Sequence, residues 1–444
     1  MVLEATFYAS VLHLCGSRLI SQPMSSNRSD SLFLWNSEIF DGILVPEDCG
    51  QILFERLENR SDCILVLDVM KGVKGPYALI YYNSKIKKIW FGRDPLGRMG
   101  SIKVLLTLSL WLLTLAKDQN IPTKHDQLKF IQLEDQTFSP EFLKASRLLR
   151  DTLDDSVKRM VAGISSLYQK TEKKSNVTVL FSGGLDCTTL AFLVHSHIPP
   201  SESIDLLNVA FENTQSISNN HQTKTIETDS ERSCVVHHNY NNTFDVPDCW
   251  IAEKSWKENS GFFRVDDQMI EYAEHEEKTI ELMRPNLTVM NLSIAAALYF
   301  AAQGIGSSQL NNQKGFLGTS VTNRTLAQVF ISGLGADKLL GGYSLVDLKR
   351  ILTQNLGRDD WMMSWFGWEV RYPLLDRRVI DLLSGLPVHL KCNHGLGKGL
   401  GDNLLLRGLA HGLRLVESCR LSKQAIQFDA QSAKLDGNPK GQAG

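Results

Sequence analysis

Five consecutive residues, Ser182 to Asp186, combine a hydroxyl, two glycines and a carboxylate in the order SGGLD. They follow the apolar run Val177–Phe181 and precede a second apolar run with helical spacing. The pattern predicts a strand, a tight turn and a helix. Two glycines allow successive backbone N–H groups to point into one concavity at a helix N-terminus, and such a concavity binds anions.

Ser182 and Asp186 indicate which anion this turn could hold. The Ser182 hydroxyl adds a donor, whereas a carboxylate beside an anion is unfavourable unless a cation lies between them. A magnesium ion that bridges phosphate groups is such a cation, and Asp186 could hold it. For this motif alone, a plain glycine turn with an aspartate at the helix start is the alternative.

A second segment of similar construction, VFISGLGADKLLGGY, spans Val329–Tyr343. An apolar strand runs into Ser332-Gly333, and Asp337 falls near the start of the next helix. Strands of one parallel sheet end at the same edge, so both turns are expected to face one crevice. That crevice could hold a nucleotide and its pyrophosphate.

The elements around these turns predict an α/β fold. A domain boundary is expected just before Phe138, and strands alternate with helices after Val177, which predicts a parallel sheet with crossover helices. The first helix has Ser139 as its N-cap and Pro140 in its first turn. Its apolar positions at near-helical spacing are Phe142, Leu148, Leu149, Leu153, Val157, Met160 and Val161.

Residues 30–100 indicate a separate α/β or β-rich unit. Segments 78–82 and 86–91 are rich in β-branched and aromatic residues and flank the turn residues 83–85, so they are expected to pair antiparallel. The polar composition of residues 212–242 predicts a loop.

The composition of this 444-residue chain limits its partners. With 47 basic and 49 acidic residues and a pI near 6.6, no overall field attracts nucleic acid or an anionic membrane. Eight cysteines without a CxxC pair indicate a reducing, cytoplasmic setting. The apolar segment Ile102–Ala116 is shorter than the ~20 residues that a bilayer requires. It predicts a buried core helix, with a membrane-associated segment as the alternative.

Several motifs together resemble one family. Ser182–Asp186 resembles the pyrophosphate-binding loop of N-type ATP pyrophosphatases, and residues 332–343 resemble the asparagine synthetase signature SGxGADExxGGY. Residues 369–376 (EVRYPLLD) are similar to that family's C-terminal block, and Lys423 falls where it keeps a basic residue near the phosphates. The segments LLNVAF and IWFGRDPLGR resemble, within it, the subgroup of asparagine synthetase domain-containing proteins.

The resemblance implies a two-domain α/β architecture. An incomplete glutamine amidotransferase domain of the N-terminal nucleophile type would span residues 1–105, and residues 106–137 would form a linker or apolar helix. A parallel-sheet ATP-binding domain of the PP-loop, adenine-nucleotide α-hydrolase-like type would span residues 138–430. Residues 431–444 would be a disordered tail. In this family the second domain adenylates aspartate, and ammonia then displaces AMP.

The resemblance also implies ATP and Mg²⁺ as cofactors and assigns roles to residues. Asp186, Asp337 and Lys423 would be catalytic, with Asp186 and Asp337 as metal ligands. The ATP and pyrophosphate site would comprise Phe181, Ser182, Gly183, Gly184, Asp186, Val209, Ala210, Ser332 and Gly333. Core packing is the alternative for Phe181, Val209 and Ala210. Asn36 and Asp48 would be remnants of a glutamine-binding site.

Departures from the family in the N-terminal part predict that glutamine is not hydrolysed. Val2 stands in place of the cysteine nucleophile, and Cys15 replaces an arginine that would clamp the substrate carboxylate. Ser37 replaces a glycine beside the oxyanion site. The residues ahead of Asn36 are too few for the first strands, which indicates a truncated or divergent N-terminus.

The second half departs from the family as well. Leu334 stands where active members have a glutamate that can serve as a base, and Lys338 replaces another glutamate. Cys187 replaces a serine and is a weaker donor toward phosphate. Asn291 stands where the subgroup often has an aspartate.

The expected function is ATP-dependent amidation of aspartate through a β-aspartyl-adenylate, with ammonia rather than glutamine as the nitrogen donor. A nucleotide-binding pseudoenzyme that acts through a partner is the first alternative. Another ATP pyrophosphatase, such as a tRNA-modifying or NAD-forming enzyme, is the second. The expected partners are small molecules, with no nucleic acid and no membrane, and the sequence leaves the oligomeric state undefined.

Overall fold

The computed structural model describes the chain in segments. They are residues 20–26, 29–37, 49–58, 63–94, 138–162, 164, 175–199, 202, 204–211, 262–267, 269–284, 288–309, 321–325, 327–341, 345–393, 396, 400–416 and 418–421. Several sequence predictions fall outside the described residues, namely those for Val2, Cys15, Asp48, Lys423, the apolar segment 102–116, the loop 212–242 and the tail 431–444.

An antiparallel sheet of four strands forms the first unit. Strands β1 and β2 are followed by helices α1 and α2 and then by strands β3 and β4, and the sheet order is β1-β2-β3-β4. Aromatic side chains fill its core, where Phe33 stacks on Phe54 with 5.6 Å between ring centroids. The bounds are Met24–Ser26 (β1), Ser29–Ser37 (β2), Cys49–Glu58 (α1), Cys63–Lys71 (α2), Tyr77–Asn83 (β3) and Lys88–Arg93 (β4).

The antiparallel pairing of β3 with β4 confirms the sequence prediction, with Ala78 opposite Arg93. The turn is longer than predicted because Asn83 caps it. Its Oδ1 atom accepts hydrogen bonds from the backbone N–H groups of Lys85 and Ile86, at 3.0 and 3.4 Å. Strand β4 therefore begins at Lys88 rather than at Ile86.

Helix α3 (Pro140–Val161) begins where the sequence predicts. The Ser139 hydroxyl accepts a hydrogen bond from the Phe142 N–H at 3.1 Å, which satisfies one of the unpaired donors at the helix start. One of the predicted apolar positions is wrong, because the Leu148 side chain is exposed whereas Leu149 is buried. The buried stripe of α3 follows Phe142, Ala145, Ser146, Leu149, Leu153, Ser156, Val157 and Met160.

The remaining elements surround a larger sheet. In chain order they are β5 (Val177–Leu180), α4 (Leu185–His197), β6 (Ile204–Phe211), β7 (Phe262–Asp267), α5 (Met269–Met283), α6 (Val289–Gln303), β8 (Ile305–Gln309), β9 (Val321–Arg324), β10 (Val329–Ile331), α7 (Ala336–Leu340), α8 (Leu345–Trp365), β11 (Glu369–Arg371), α9 (Arg377–Gly385), α10 (Val388–Lys391) and α11 (Leu404–Gly412), with single 3-10 turns at Pro373–Leu375 and Ser418–Arg420.

The seven described strands of this sheet have the order β11-β10-β5-β6-β7-β8-β9. The first five are parallel, as the sequence predicts, but β8 is antiparallel to both β7 and β9. The expectation of a wholly parallel sheet is thus wrong at one end. Two helices, α5 and α6, separate β7 from β8, so this connection is not the single crossover helix that links neighbouring parallel strands.

Polar contacts dock α3 against the segment that contains β11. The Ser156 hydroxyl donates to the Pro373 carbonyl at 3.0 Å, and the buried Arg371 guanidinium donates to the Met160 carbonyl and, at 2.8 Å, to the Glu369 carboxylate. These bonds satisfy a buried cation and fix β11 at the edge of the sheet. Among the described helices, none is long and apolar enough to cross a membrane.

Candidate nucleotide site

The first predicted turn lies between β5 and α4. Phe181 extends the pairing of β5 with β6 by one bond, from its N–H to the Leu207 carbonyl at 2.8 Å. The buried Asn208 side chain donates to the Phe181 carbonyl at 2.9 Å. The chain then turns at Gly183, whose φ of 76° lies in the left-handed region that favours glycine.

Hydrogen bonds into α4 orient the peptide planes of this loop. The Gly183 carbonyl accepts from the Thr188 hydroxyl at 3.2 Å, and the Gly184 carbonyl accepts from the Thr188 N–H at 3.1 Å. In a trans peptide the N–H of the next residue points the opposite way. The N–H groups of Gly184 and Leu185 therefore point away from Thr188, as an anion-binding loop requires.

Cys187 braces the same loop. Its thiol donates to the Gly184 carbonyl at 3.2 Å, and its sulfur lies 3.6 Å from the Ser182 hydroxyl oxygen. The sequence predicts a weakened bond from this residue to phosphate. Within the described structure the thiol instead helps to hold the loop in shape.

The second turn follows β10, which pairs with β5 in parallel, Ile331 opposite Val179. The Ser332 N–H donates to the Arg371 carbonyl at 3.0 Å, and the Ser332 hydroxyl accepts from the Leu334 N–H at 3.2 Å. Adjacent parallel strands thus deliver both Ser-Gly turns to one edge of the sheet.

The two turns touch at Gly333. A Cβ atom placed on Gly333 would lie 3.3 Å from the Asp186 Cβ and 3.7 Å from the Cys187 backbone nitrogen. A side chain at this position would fill the space beside the start of α4. Gly333 thus keeps the two loops in close contact, at the common strand edge where the sequence predicts both turns.

Gly335 fixes the exit from the second turn. Its φ is 109°, and a Cβ atom there would lie 2.4 Å from the Leu375 Cδ2 atom. Only glycine fits, and helix α7 starts at the next residue. Asp337 is in the first turn of α7, and its Oδ1 atom accepts a hydrogen bond from the Asn403 side-chain amide at 2.9 Å.

The other residues predicted to bind ATP or glutamine lie in different surroundings from one another. Phe181 and Val209 are buried in the core, which favours the packing alternative for their side chains. Ala210 belongs to β6, and only its backbone is described. Asn36 is exposed near the end of β2, in the four-stranded sheet. The binding roles of these residues stay predictions.

Helices α6 and α8 carry a buried polar cluster that the sequence analysis does not anticipate. Arg358 donates to one Asp359 oxygen from Nε and Nη2, at 2.8 and 2.6 Å, and to the Asn291 Oδ1 atom from Nη1 at 2.6 Å. Burial raises the pKa of Asp359, although Arg358 opposes the shift. Burial, Asp359 and Asp360 raise the pKa of Tyr372 well above its usual value, so this phenol stays protonated.

A magnesium–nucleotide complex fits the residues present. The described residues contain no group of three or more His, Cys, Asp or Glu side chains that could enclose a metal ion. Mg²⁺ is usually held by one or two carboxylates together with substrate phosphates. Asp186 and Asp337, each in the first turn of a helix that follows a Ser-Gly turn, supply that number of carboxylates.

Three polar residues that support the turns or Asp337 were not predicted from the sequence: Asn208, which bonds the Phe181 carbonyl, Asn403, which bonds Asp337, and the buried Arg407, which bonds Asp402 next to Asn403. Asn208 gives a signal, as a polar residue inside the apolar strand Ile204–Phe211. Arg407 gives a similar signal inside the apolar run LLLRGLA. Asn403 gives none, since its contact with Asp337 spans 66 residues of sequence.

Comparison of the sequence with known proteins identifies the family to which the chain belongs. A family model described as asparagine synthase matches residues 344–407. The chain is 29% identical to asparagine synthetase domain-containing protein 1 of Bos taurus and 28% identical to that of Homo sapiens. Those alignments cover 98% of this chain and 89% and 88% of the two relatives. An asparagine synthetase domain-containing protein of Saccharomyces cerevisiae is 30% identical over 98% of this chain and 86% of its own length. The chain therefore belongs to the family of asparagine synthetase domain-containing proteins.

Proposed function

We propose that the chain binds Mg-ATP between its two Ser-Gly turns and uses it to amidate aspartate. One observation carries this proposal: Gly333 lies against Asp186, so the two turns form one continuous surface at the carboxyl edge of parallel strands. Nucleotides bind at this edge in open α/β sheets. The turn N–H groups are suited to the phosphates.

In this proposal the aspartate β-carboxylate attacks the α-phosphorus of ATP, and pyrophosphate leaves with the bond electrons. Ammonia then attacks the acyl carbon, AMP leaves with the electrons of the C–O bond, and the proton that the nitrogen loses passes to water. Asp186 and Asp337 would hold magnesium, which offsets the charge that develops on the pyrophosphate. The loop N–H groups would bind the same oxygens, and Lys423 would add a positive charge.

The proposed nitrogen donor is ammonia. Cys15 and Ser37 replace the residues that this family uses to bind glutamine and stabilise its oxyanion, as the resemblance implies. Ser37 is the last residue of β2. A supply of free ammonia requires no amidotransferase chemistry from this chain.

The test is pyrophosphate release by the purified protein with Mg-ATP, aspartate and ammonium. We expect release that depends on aspartate, together with AMP and asparagine in equal amounts, and no gain when glutamine replaces ammonium. A protein that binds Mg-ATP but releases no pyrophosphate above an Asp186→Ala variant would not support the catalytic proposal.

A nucleotide-binding protein without turnover is the second candidate, and Leu334 favours it. This side chain is partly buried and packs against the main hydrophobic core. It cannot accept the proton that ammonia must lose during amidation. Calorimetry that shows Mg-ATP binding, combined with no release of AMP, would support a role through a partner.

A further inference from the structure

Asn403 is held in an unusual conformation directly beside Asp337. It caps the N-terminus of α11 with φ 50° and ψ 33°, in the left-handed region, and its side chain is buried. The side chain makes no capping hydrogen bond to its own helix. Its amide instead donates to the Asp337 Oδ1 atom at 2.9 Å. This left-handed conformation, which asparagine adopts more readily than most residues, is accompanied by a contact between its side chain and another element.

Arg407 fixes the turn that carries Asn403. This arginine is fully buried and donates from Nε to the Asp402 carbonyl at 2.7 Å and from Nη2 to the Asp402 carboxylate at 2.6 Å. Its Nη1 atom donates to the carbonyls of Cys419 and Leu421, at 2.8 and 2.9 Å. One side chain thus joins the residue before Asn403 to the C-terminal segment.

The other side of the turn is equally constrained. The Gly401 carbonyl accepts from the Asn393 N–H at 2.8 Å. A Cβ atom on Gly401 would lie 1.8 Å from the Asn393 carbonyl oxygen, so the backbones are in direct contact. With Arg407 behind it and Asn393 beside it, the turn has little freedom to move its Asn403 amide.

We propose that Asn403 is a positioning residue that aims the Asp337 carboxylate at the magnesium–phosphate complex, and that Arg407 holds Asn403 in place. A carboxylate fixed through one oxygen keeps one rotamer, so a metal ion need not order it on binding. The inference rests on the proposed function, because it assigns the cation to the same site.

Two glycine variants form a matched pair for the test. Asn403 and Arg414 both have positive φ, 50° and 66°, and glycine suits both backbones. Only Asn403→Gly removes the donor to Asp337; Arg414 is exposed just beyond α11. Isothermal titration with ATP at a series of Mg²⁺ concentrations measures the metal requirement, and circular dichroism confirms the fold.

We expect Asn403→Gly to raise the Mg²⁺ concentration for half-maximal ATP binding about tenfold or more, the usual effect of losing a partner of a metal ligand. Arg414→Gly should leave it unchanged. An unchanged Mg²⁺ requirement in a folded Asn403→Gly protein overturns the inference and leaves the proposed function intact. If the unmodified protein does not bind Mg-ATP, both this inference and the proposed function are contradicted.

Discussion

Asp186 places a negative charge at the start of α4, beside the turn proposed to bind phosphate. The N-terminus of a helix stabilises a carboxylate, because the unpaired N–H groups carry partial positive charge. A phosphate would compete for the same field unless a cation joined the two anions. Under the proposed function, this residue is the point at which nucleotide binding and metal binding would be coupled.

Replacing Asp186 with asparagine tests that coupling at the residue scale. The change keeps the side-chain shape and removes the charge, so we expect pyrophosphate release to fall about a hundredfold or more, roughly 3 kcal/mol in transition-state free energy. Asp381→Asn is the matched control, since Asp381 is exposed on α9 and pairs only loosely with Arg377 at 3.5 Å. Steady-state kinetics measure the rate of pyrophosphate release by both variants. Equal losses of rate in the two variants would argue against a metal-binding role for Asp186.

Gly335 allows a second residue-scale prediction, about stability. Alanine at this position meets the Leu375 side chain at 2.4 Å and must hold a positive φ, so we expect Gly335→Ala to destabilise the fold by about 2–4 kcal/mol. Gly357→Ala is the counterpart, because a Cβ atom there has no neighbour within 4 Å and lies inside helix α8. It should stabilise the protein by roughly 0.5–1 kcal/mol. Urea unfolding curves measure both, and a neutral Gly335→Ala would contradict the packing described.

At the scale of elements, the order of the strands predicts where a crevice should lie. From β5 the chain passes through α4 to β6 on one side, whereas β10 and β11 lie on the other side. The strand order therefore reverses at β5, and such a switch point leaves a gap at the carboxyl edge of the sheet. The loop that begins at Phe181 follows β5, which lies between β10 and β6 in the sheet, so this loop is at the switch point.

Asp205 on β6 is expected to make the stability of the fold depend on pH. Its carboxylate accepts a hydrogen bond from the Thr325 hydroxyl at 2.5 Å, and burial raises its pKa above the usual value despite that bond. The folded state then binds more protons than the unfolded chain, so this contribution to stability is complete below pH ~3.8 and is lost as the pH rises through the raised pKa.

We expect Asp205→Asn to remove that dependence. Asparagine can still accept the Thr325 hydrogen bond but never ionises, so the variant should gain stability relative to the unmodified protein as the pH rises toward neutrality. Thermal unfolding of both proteins from pH 4 to pH 8 measures whether the difference in stability grows with pH as expected. A difference that shrinks with rising pH would show that the carboxylate is better accommodated than its burial indicates.

The elements also show what local sequence can and cannot predict. The Ser139 cap, the two Ser-Gly turns and the β3–β4 pair are each encoded within a few residues, and each forms as predicted. The reversed direction of β8 was missed because it depends on the number of helices that follow β7. Asn403 was missed for a related reason, since its partner Asp337 belongs to another element of the fold.

At the scale of the whole molecule, the two sheets have separate hydrophobic cores. One core is built on Phe33, Phe54 and Tyr81, and the other joins α3 to the larger sheet. The proposed nucleotide site belongs entirely to the second. The alignments with the relatives named above cover 98% of this chain and therefore include both units.

The central claim is that two distant segments of sequence form one nucleotide site. Amide hydrogen exchange, with and without Mg-ATP, tests it most directly by following residues 181–187 and 332–338 together, with the β3–β4 turn as an internal reference. The account predicts slower exchange in both segments and no change in the reference turn. Protection of only one segment, or of neither at saturating Mg-ATP, would contradict it.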